Sequence, residues 1–285
     1  MFVEQEFDYR LAGRIGGWRP GSHPSRSAGD GQQFVAHARL FDRPDPRRLD
    51  LRASLRSVDG DWLVRVNRMR AGVPVHAVVD VSASMHYGRG GSKLDYARDF
   101  VAALGRSAFR IGDAAGLVAF DAREREDLAV PATRSRGSGQ AMAEALARVG
   151  DAGRGGIDGL DESLARLAAR RGLVFVLSDF HWPLDRLGGA LDRVASSCVI
   201  PVITWHRAET EPPETHGLVA LRDAETGRQR TLWLRPSIRA AWRERVAARR
   251  AQLDRILSRR GLRPFYAGDR FEATAVSRFF LEAAP

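Results

Sequence analysis

The stretch VPVHAVVDVSASMHYG, Val73–Gly88, is apolar for most of its length and then presents Asp80, Ser82 and Ser84 at alternate positions. A short run rich in β-branched residues reads as a strand buried on both faces of a parallel sheet. The spacing at its end lets one carboxylate and two hydroxyls converge on a point above the sheet edge. Hard oxygen donors of this kind suit Mg²⁺ or Ca²⁺, with water completing the shell. The plainer alternative is that the serines satisfy backbone donors of the loop. A matching "SD" at the end of the later run GLVFVLSDF favours a site, because Asp179 also ends a strand and is placed to face Asp80. The plain reading of Asp179 is a cap on the following helix.

Working outward, VHAVVDV, AAGLVAF, GLVFVLSDF and CVIPVITW are the candidate core strands. Between them, SKLDYARDFVAALGRSAF, SGQAMAEALARVG, GLDESLARLAAR and PLDRLGGALDRVA carry helical patterns. Strands alternating with helices of this length predict an α/β fold, a doubly wound and mainly parallel sheet whose ligands gather beyond the carboxyl ends of the strands. Ahead of it, residues 1–72 are expected to form a small N-terminal β subdomain, with QQFVAHARLF and DWLVRVNRM as its alternating segments. Within that part, residues 1–34 are rich in Gly, Pro, Ser and Arg and read as extended and loop-like. Residues 73–285 form the sheet domain. Its C-terminal third adds a hairpin around DAETGR and a long helix, PSIRAAWRERVAARRAQLDRILSRRG. Ile238, Trp242, Val246, Leu253 and Leu257 are expected to face the core there, with the arginines in solvent or against an acidic partner.

The composition bounds the function. With 285 residues and 44% apolar content the chain can bury a sizeable core. No apolar stretch is long enough to span a bilayer and no basic-then-apolar leader opens the chain, so a cytoplasmic location is expected. Cys198 is the single cysteine, which excludes an intramolecular disulfide and a cysteine-based metal centre; it reads as a small buried thiol. The net charge of +10 invites nucleic acid as a partner. Against that, Lys93 is the only lysine, so the charge is arginine bias throughout, and no nucleic-acid motif accompanies it.

An enzyme is not expected. An Asp80 nucleophile for Mg²⁺-dependent phosphoryl transfer is the nearest catalytic reading, but that chemistry wants a second acid where Ser82 stands. GRGGSK does not have phosphate-loop spacing, and no Gly-x-Ser-x-Gly elbow is present. His86, His181 and His206 each follow a predicted strand end and so fall on the same rim as the acidic pair, as a candidate transition-metal or pH-sensitive group.

At Asp80, Ser82, Ser84 and Asp179 the sequence resembles the von Willebrand factor A fold and its metal-ion-dependent adhesion site. It resembles more closely the bacterial group called domain of unknown function 58, whose members are associated with MoxR-type AAA+ ATPases. That likeness extends upstream through SAGDGQQFVAHARLFDRPDPRRLDLRASLRSVDGDWLVRVN, where the group's Ile-Asp-Trp box reads Leu49-Asp50-Leu51 without the tryptophan, and covers roughly residues 25–283. The resemblance implies a non-enzymatic adaptor that meets a partner's acid through a bridging Mg²⁺. It also implies a role beside a MoxR-type ATPase in assembling, activating or metallating a client enzyme, with methanol dehydrogenase as the client in one branch. One departure weakens the metal. The group's Gly-Gly-Thr-Asp loop reads GRGGIDG here, so Ile157 replaces a threonine ligand and only Asp158 is left to help from behind.

Overall fold

The computed structural model describes residues 5–9, 20–29, 33–88, 91–150, 153–214 and 217–282. Contacts divide the chain into two units, residues 11–73 and residues 1–10 with 74–285.

The smaller unit is a three-stranded antiparallel sheet of β1 (Pro20–Gly29), β2 (Gln33–Arg39) and β3 (Leu63–Ala71) in the order β1-β3-β2. The strand β1 corrects the loop-like expectation for residues 1–34. Pairing with β3 supplies backbone partners that local composition does not predict, and the register breaks between Pro20 and His23 and between Pro24 and Ala28, beside residues that lack an N–H. A short helix, α1 (Leu51–Leu55), connects β2 to β3. Asp50 organises this connection: its carboxylate caps α1 by accepting from Ala53 N at 3.1 Å and also holds Arg65 Nε at 2.7 Å and His37 Nε2 at 3.1 Å.

The larger unit contains a six-stranded sheet in the order β11-β8-β7-β4-β5-β6. Its strands are β4 (Pro74–Asp80), β5 (Ala114–Phe120), β6 (Val130–Thr133), β7 (Leu173–Ser178), β8 (Cys198–Ile203) and β11 (Phe265–Tyr266). Only β6, a four-residue edge, runs antiparallel; it is too short and too exposed to carry a sequence signal. The helices are α2 (Lys93–Ile111), α3 (Ser138–Ala147), α4 (Ile157–Leu167), α5 (Leu187–Asp192), α6 (Arg207–Thr210), α7 (Pro236–Ser258) and α8 (Ala273–Glu282). The hairpin β9 (Gly217–Arg222) and β10 (Gln229–Leu234) pairs only with itself. The fold is therefore the doubly wound α/β sheet that the alternation of strands and helices predicts.

Alternation along β7 explains how both faces are covered. Val174 and Val176 pack with Leu160 and Leu164 of α4 and with Leu253 and Leu257 of α7. Phe175, on the other face, meets Phe100 of α2 with ring centroids 5.1 Å apart and Phe280 of α8 at 6.1 Å. Phe7 completes that aromatic layer, 5.4 Å from Phe100, so residues 5–9 belong to the sheet domain and not to the N-terminal subdomain that residues 1–72 were expected to form. Burying an aromatic side chain of this kind contributes about 1.5–3 kcal/mol, and Phe7 and Tyr9, both buried, together offset part of the entropy lost in ordering the segment. Two further expectations change. Along α7 only Leu253 and Leu257 are buried, because the first half of the helix lies by α6 and β10 and not over the sheet; Ile238 is exposed, and Trp242 and Val246 are half-buried. Cys198 opens β8 half-buried.

The order of the strands fixes the site. From β4 the chain moves to β5 on one side, and β7 returns on the other side of β4 before continuing to β8. The boundary between β4 and β7 is thus the switch point where a doubly wound sheet opens a crevice at its carboxyl edge. Asp80 ends β4 and Asp179 follows β7 at that boundary.

Candidate functional site

Above the switch point the four expected residues come together in one buried polar group. The Asp80 side chain is fully buried, as is Ser82, and Asp179 is 1% exposed. Asp80 Oδ1 accepts from Ser82 N at 3.0 Å, while Oδ2 accepts from Ser178 Oγ at 2.6 Å and Trp182 Nε1 at 3.3 Å. The hydroxyls of Ser82 and Ser84 lie 3.3 Å apart, and Ser84 in turn bonds Asp179. Burial, and then the neighbouring charge of Asp179, raise the Asp80 pKa to about 6.

Asp179 is held the other way. Burial pushes its pKa up, but the ammonium of Lys93, the His181 ring and the hydrogen bonds from Lys93 and Ser84 together bring it below the usual carboxylate range. Lys93 Nζ reaches Asp179 Oδ2 at 2.5 Å and Glu209 Oε1 at 2.8 Å, with its own side chain only 3% exposed. Burial works against the ammonium, yet the two carboxylates outweigh it and the Lys93 pKa is raised. Lys93 reaches this position because α2 starts there. Ser92 caps the helix reciprocally with Asp95, and Lys93 N donates to Tyr87 O at 3.1 Å. Gly88 permits the preceding loop: its φ is +156°, and a Cβ on it would lie 2.1 Å from Gly91 O.

The far wall is built under strain. Phe180 has φ of +50°, rare for a non-glycine residue, and its N–H donates to Ser178 Oγ at 2.9 Å. The guanidinium of Arg249, from the middle of α7, donates to the carbonyls of Phe180 and Trp182 and so clamps the turn after β7. One arginine of the face expected to be solvated is therefore structural. Overhead, the tip of the β9–β10 hairpin places Glu225 against the loops: Oε1 accepts from Ser84 N at 3.1 Å and Oε2 from Gly155 N at 2.8 Å.

The remaining candidates do not join the group. Asp158 is exposed and pairs with Arg186 at 2.5 Å, so it supplies nothing to Asp80 from behind. Ile157 opens α4 and packs against the apolar cluster under that helix. The three histidines have separate roles. His86 is exposed, His206 is buried edge-on to Tyr87 with its Nδ1 accepting from Ala208 N, and His181 stacks on Trp205 at 6.0 Å. Among the described residues, His181 is the one histidine whose ring nitrogen falls in a group of three ligating atoms, with Asp179 and Glu209 within 4.8 Å of one another, and the Lys93 ammonium is already bonded to both of those acids; His206 Nε2 has only Asp269 nearby, at 3.9 Å.

A divalent cation of the kind the adhesion-site resemblance implies does not fit these residues. Both oxygens of Asp80 are engaged by protein donors, Lys93 provides the positive charge beside Asp179, and Ile157 brings no oxygen to the loop that would close the shell. A hard ion needs free oxygens facing it, and a fixed ammonium repels it. Lys93, Glu209 and Glu225 are absent from the sequence reading of the site. For Lys93 a signal was present: one lysine among 45 Lys and Arg residues, directly after a glycine-rich loop, marks a place where a compact point charge is wanted and a guanidinium is not. Glu209 and Glu225 have no local signal.

The fold is thus a doubly wound α/β domain that carries an Asp-x-Ser-x-Ser loop over its switch point. Residues 43–252 match the family described as "Protein of unknown function DUF58", and the chain belongs to that family. A relative from Paracoccus denitrificans, described as an uncharacterized protein in the moxR 3' region, is 35% identical over 98 residues, which is 34% of this chain and 93% of that protein. Among solved structures, an aerotolerance-related membrane protein from Bacteroides fragilis matches with a TM-score of 0.46 at 14% identity, covering 74% of this chain and 98% of that one. A von Willebrand factor type A protein from Catenulispora acidiphila matches with a TM-score of 0.35 at 12% identity, covering 76% and 43%. Among the described residues, no helix is long and apolar enough to cross a membrane.

Proposed function

We propose that the chain is a non-enzymatic adaptor that works with a MoxR-type AAA+ ATPase in assembling, activating or inserting metal into a client enzyme. The observation that carries binding over catalysis is the state of Asp80: a fully buried carboxylate whose two oxygens accept three hydrogen bonds cannot approach a phosphorus or carbonyl centre. Membership of the family and a relative described by its position beside moxR support the ATPase as partner. The contact surface in this reading is the rim formed by the Ser84 and Gly155 loops, with Lys93 standing in for the divalent cation beneath it. Methanol dehydrogenase is the client that the sequence resemblance suggests, and a cytoplasmic location follows from the partner.

The test is co-purification of the tagged chain with the MoxR-type ATPase of the same organism, repeated with Ser84→Pro, which removes one rim amide. Retention by the wild type and loss in the variant is the expected result. Failure of the wild-type chain to retain the ATPase, or turnover of a generic phosphate ester that disappears in Asp80→Asn, would overturn the reading.

A further inference from the structure

The Glu225 carboxylate has a placement that neither the hairpin nor the sheet requires. The β9–β10 hairpin forms its own two-stranded sheet and leaves Leu218 and Trp233 exposed, so pairing does not draw its tip toward the switch point. The tip itself is rigid. Asp223 Oδ1 accepts from Glu225 N at 2.9 Å and Thr226 N at 3.1 Å, Asp223 N donates to Arg228 O at 2.8 Å, and Gly227 takes φ of +67° to close the turn. All other residues from Asp223 to Arg228 are exposed, and Glu225 alone is half-buried. Each of its oxygens receives one main-chain N–H from a different loop, and those two loops are tied together by Ala83 N donating to Gly153 O at 3.0 Å.

We infer that the paired amides of Ser84 and Gly155 form a carboxylate-binding site which the chain's own Glu225 occupies, and that a partner's acidic side chain engages the same amides when the hairpin swings away. The inference rests on the adaptor reading for the identity of the partner, though not for the existence of the site. The chemistry is that of an anion held by oriented backbone donors, each bond strengthened by the ligand's charge. Two amides that meet the two oxygens of one group suit a carboxylate. Gly155 packs so closely that a Cβ there would come within 2.9 Å of Ser82 Oγ, so this position carries no side chain beside its amide. Lys93 pairs with Asp179 beneath the loop and so lessens the repulsion that an incoming anion would meet there. Because Glu225 is tethered, it competes at an effective concentration in the millimolar range or above, so an external acid binds weakly until the hairpin is displaced.

The experiment follows the backbone amide resonances of Ser84 and Gly155 in the full chain and in Glu225→Ala, with an acetylated and amidated Gly-Glu-Gly peptide as the probe. The turn's own hydrogen bonds do not use the Glu225 side chain, so the hairpin is retained in the variant. Both resonances are expected to move in Glu225→Ala, and the peptide is expected to bind the variant at least roughly tenfold more tightly than the wild type. Glu225→Gln, which keeps an acceptor oxygen without the charge, is expected to fall between them. Resonances that do not respond to the substitution, or peptide affinities equal in both proteins, would overturn the inference. Retention of the ATPase is measured on the same two proteins. If neither retains it while the peptide distinguishes them, the adaptor reading fails and the capped site stands. If both retain it and the peptide does not distinguish them, the capped site fails alone.

Discussion

Replacing Lys93 with methionine removes the positive charge that the site has built in, while keeping a straight apolar stem of similar length. The ammonium and Asp179 are both almost wholly buried and 2.5 Å apart, so the variant leaves a carboxylate at 1% exposure with no counter-charge. Deleting one partner of such a pair costs about 3–5 kcal/mol, because the remaining charge keeps its desolvation penalty. Glu209 is less affected, since it is partly exposed and can turn to water. Against a urea dependence of about 2–3 kcal/mol per molar, that loss lowers the unfolding midpoint by roughly 1–2 M. Intrinsic fluorescence reports the transition, since Trp182 and Trp205 flank the site. Adding Asp179→Asn to Lys93→Met should recover part of the loss, as the pair is then neutral on both sides. Excess Mg²⁺ should leave the wild-type midpoint unchanged, whereas an ion that bound the native state at a hundred times its dissociation constant would add about 2.7 kcal/mol. A loss below about 1 kcal/mol in Lys93→Met, additivity in the double variant, or a wild-type midpoint raised by Mg²⁺ would refute the assignment of Lys93 as the resident cation.

His76, buried in β4, has its pKa pulled from 6.5 to about 4, first by burial and then by the charges of Arg170 and Arg166. The unfolded chain therefore binds a proton that the folded chain refuses, and stability falls as pH drops from about 6.5 toward 4, by about 3 kcal/mol in all. Urea midpoints of wild type and His76→Leu across that window isolate this effect from Asp80, whose raised pKa acts in the opposite direction; parallel profiles would disprove it. Gly155→Ala drives a methyl to 2.9 Å from Ser82 Oγ and 3.3 Å from Trp182 Cδ1, and is expected to lower stability by about 1–3 kcal/mol in thermal unfolding and to shift the Trp182 emission. An unchanged melting temperature would show that the loop yields freely.

The alternation of β-branched runs with amphipathic helices determined the doubly wound class, because period-two and period-3.6 burial are properties of local sequence. The convergence of Asp80, Ser82, Ser84 and Asp179 was also legible, since residues that end parallel strands on either side of a switch point must meet there. The Asp-x-Ser-x-Ser spacing, read alone, points to a hard cation, and nothing local to it reveals the counter-charge already present. Lys93 comes from the start of the next helix, Glu209 from beyond β8 and Glu225 from the tip of a distant hairpin. Those three approach the crevice through the crossovers of the sheet, a long-range arrangement that no short window of sequence encodes. The residue types and the place of the site were thus written locally, and the balance of charge within it was decided by tertiary packing, because electrostatic partners are chosen by distance in space and not by separation along the chain.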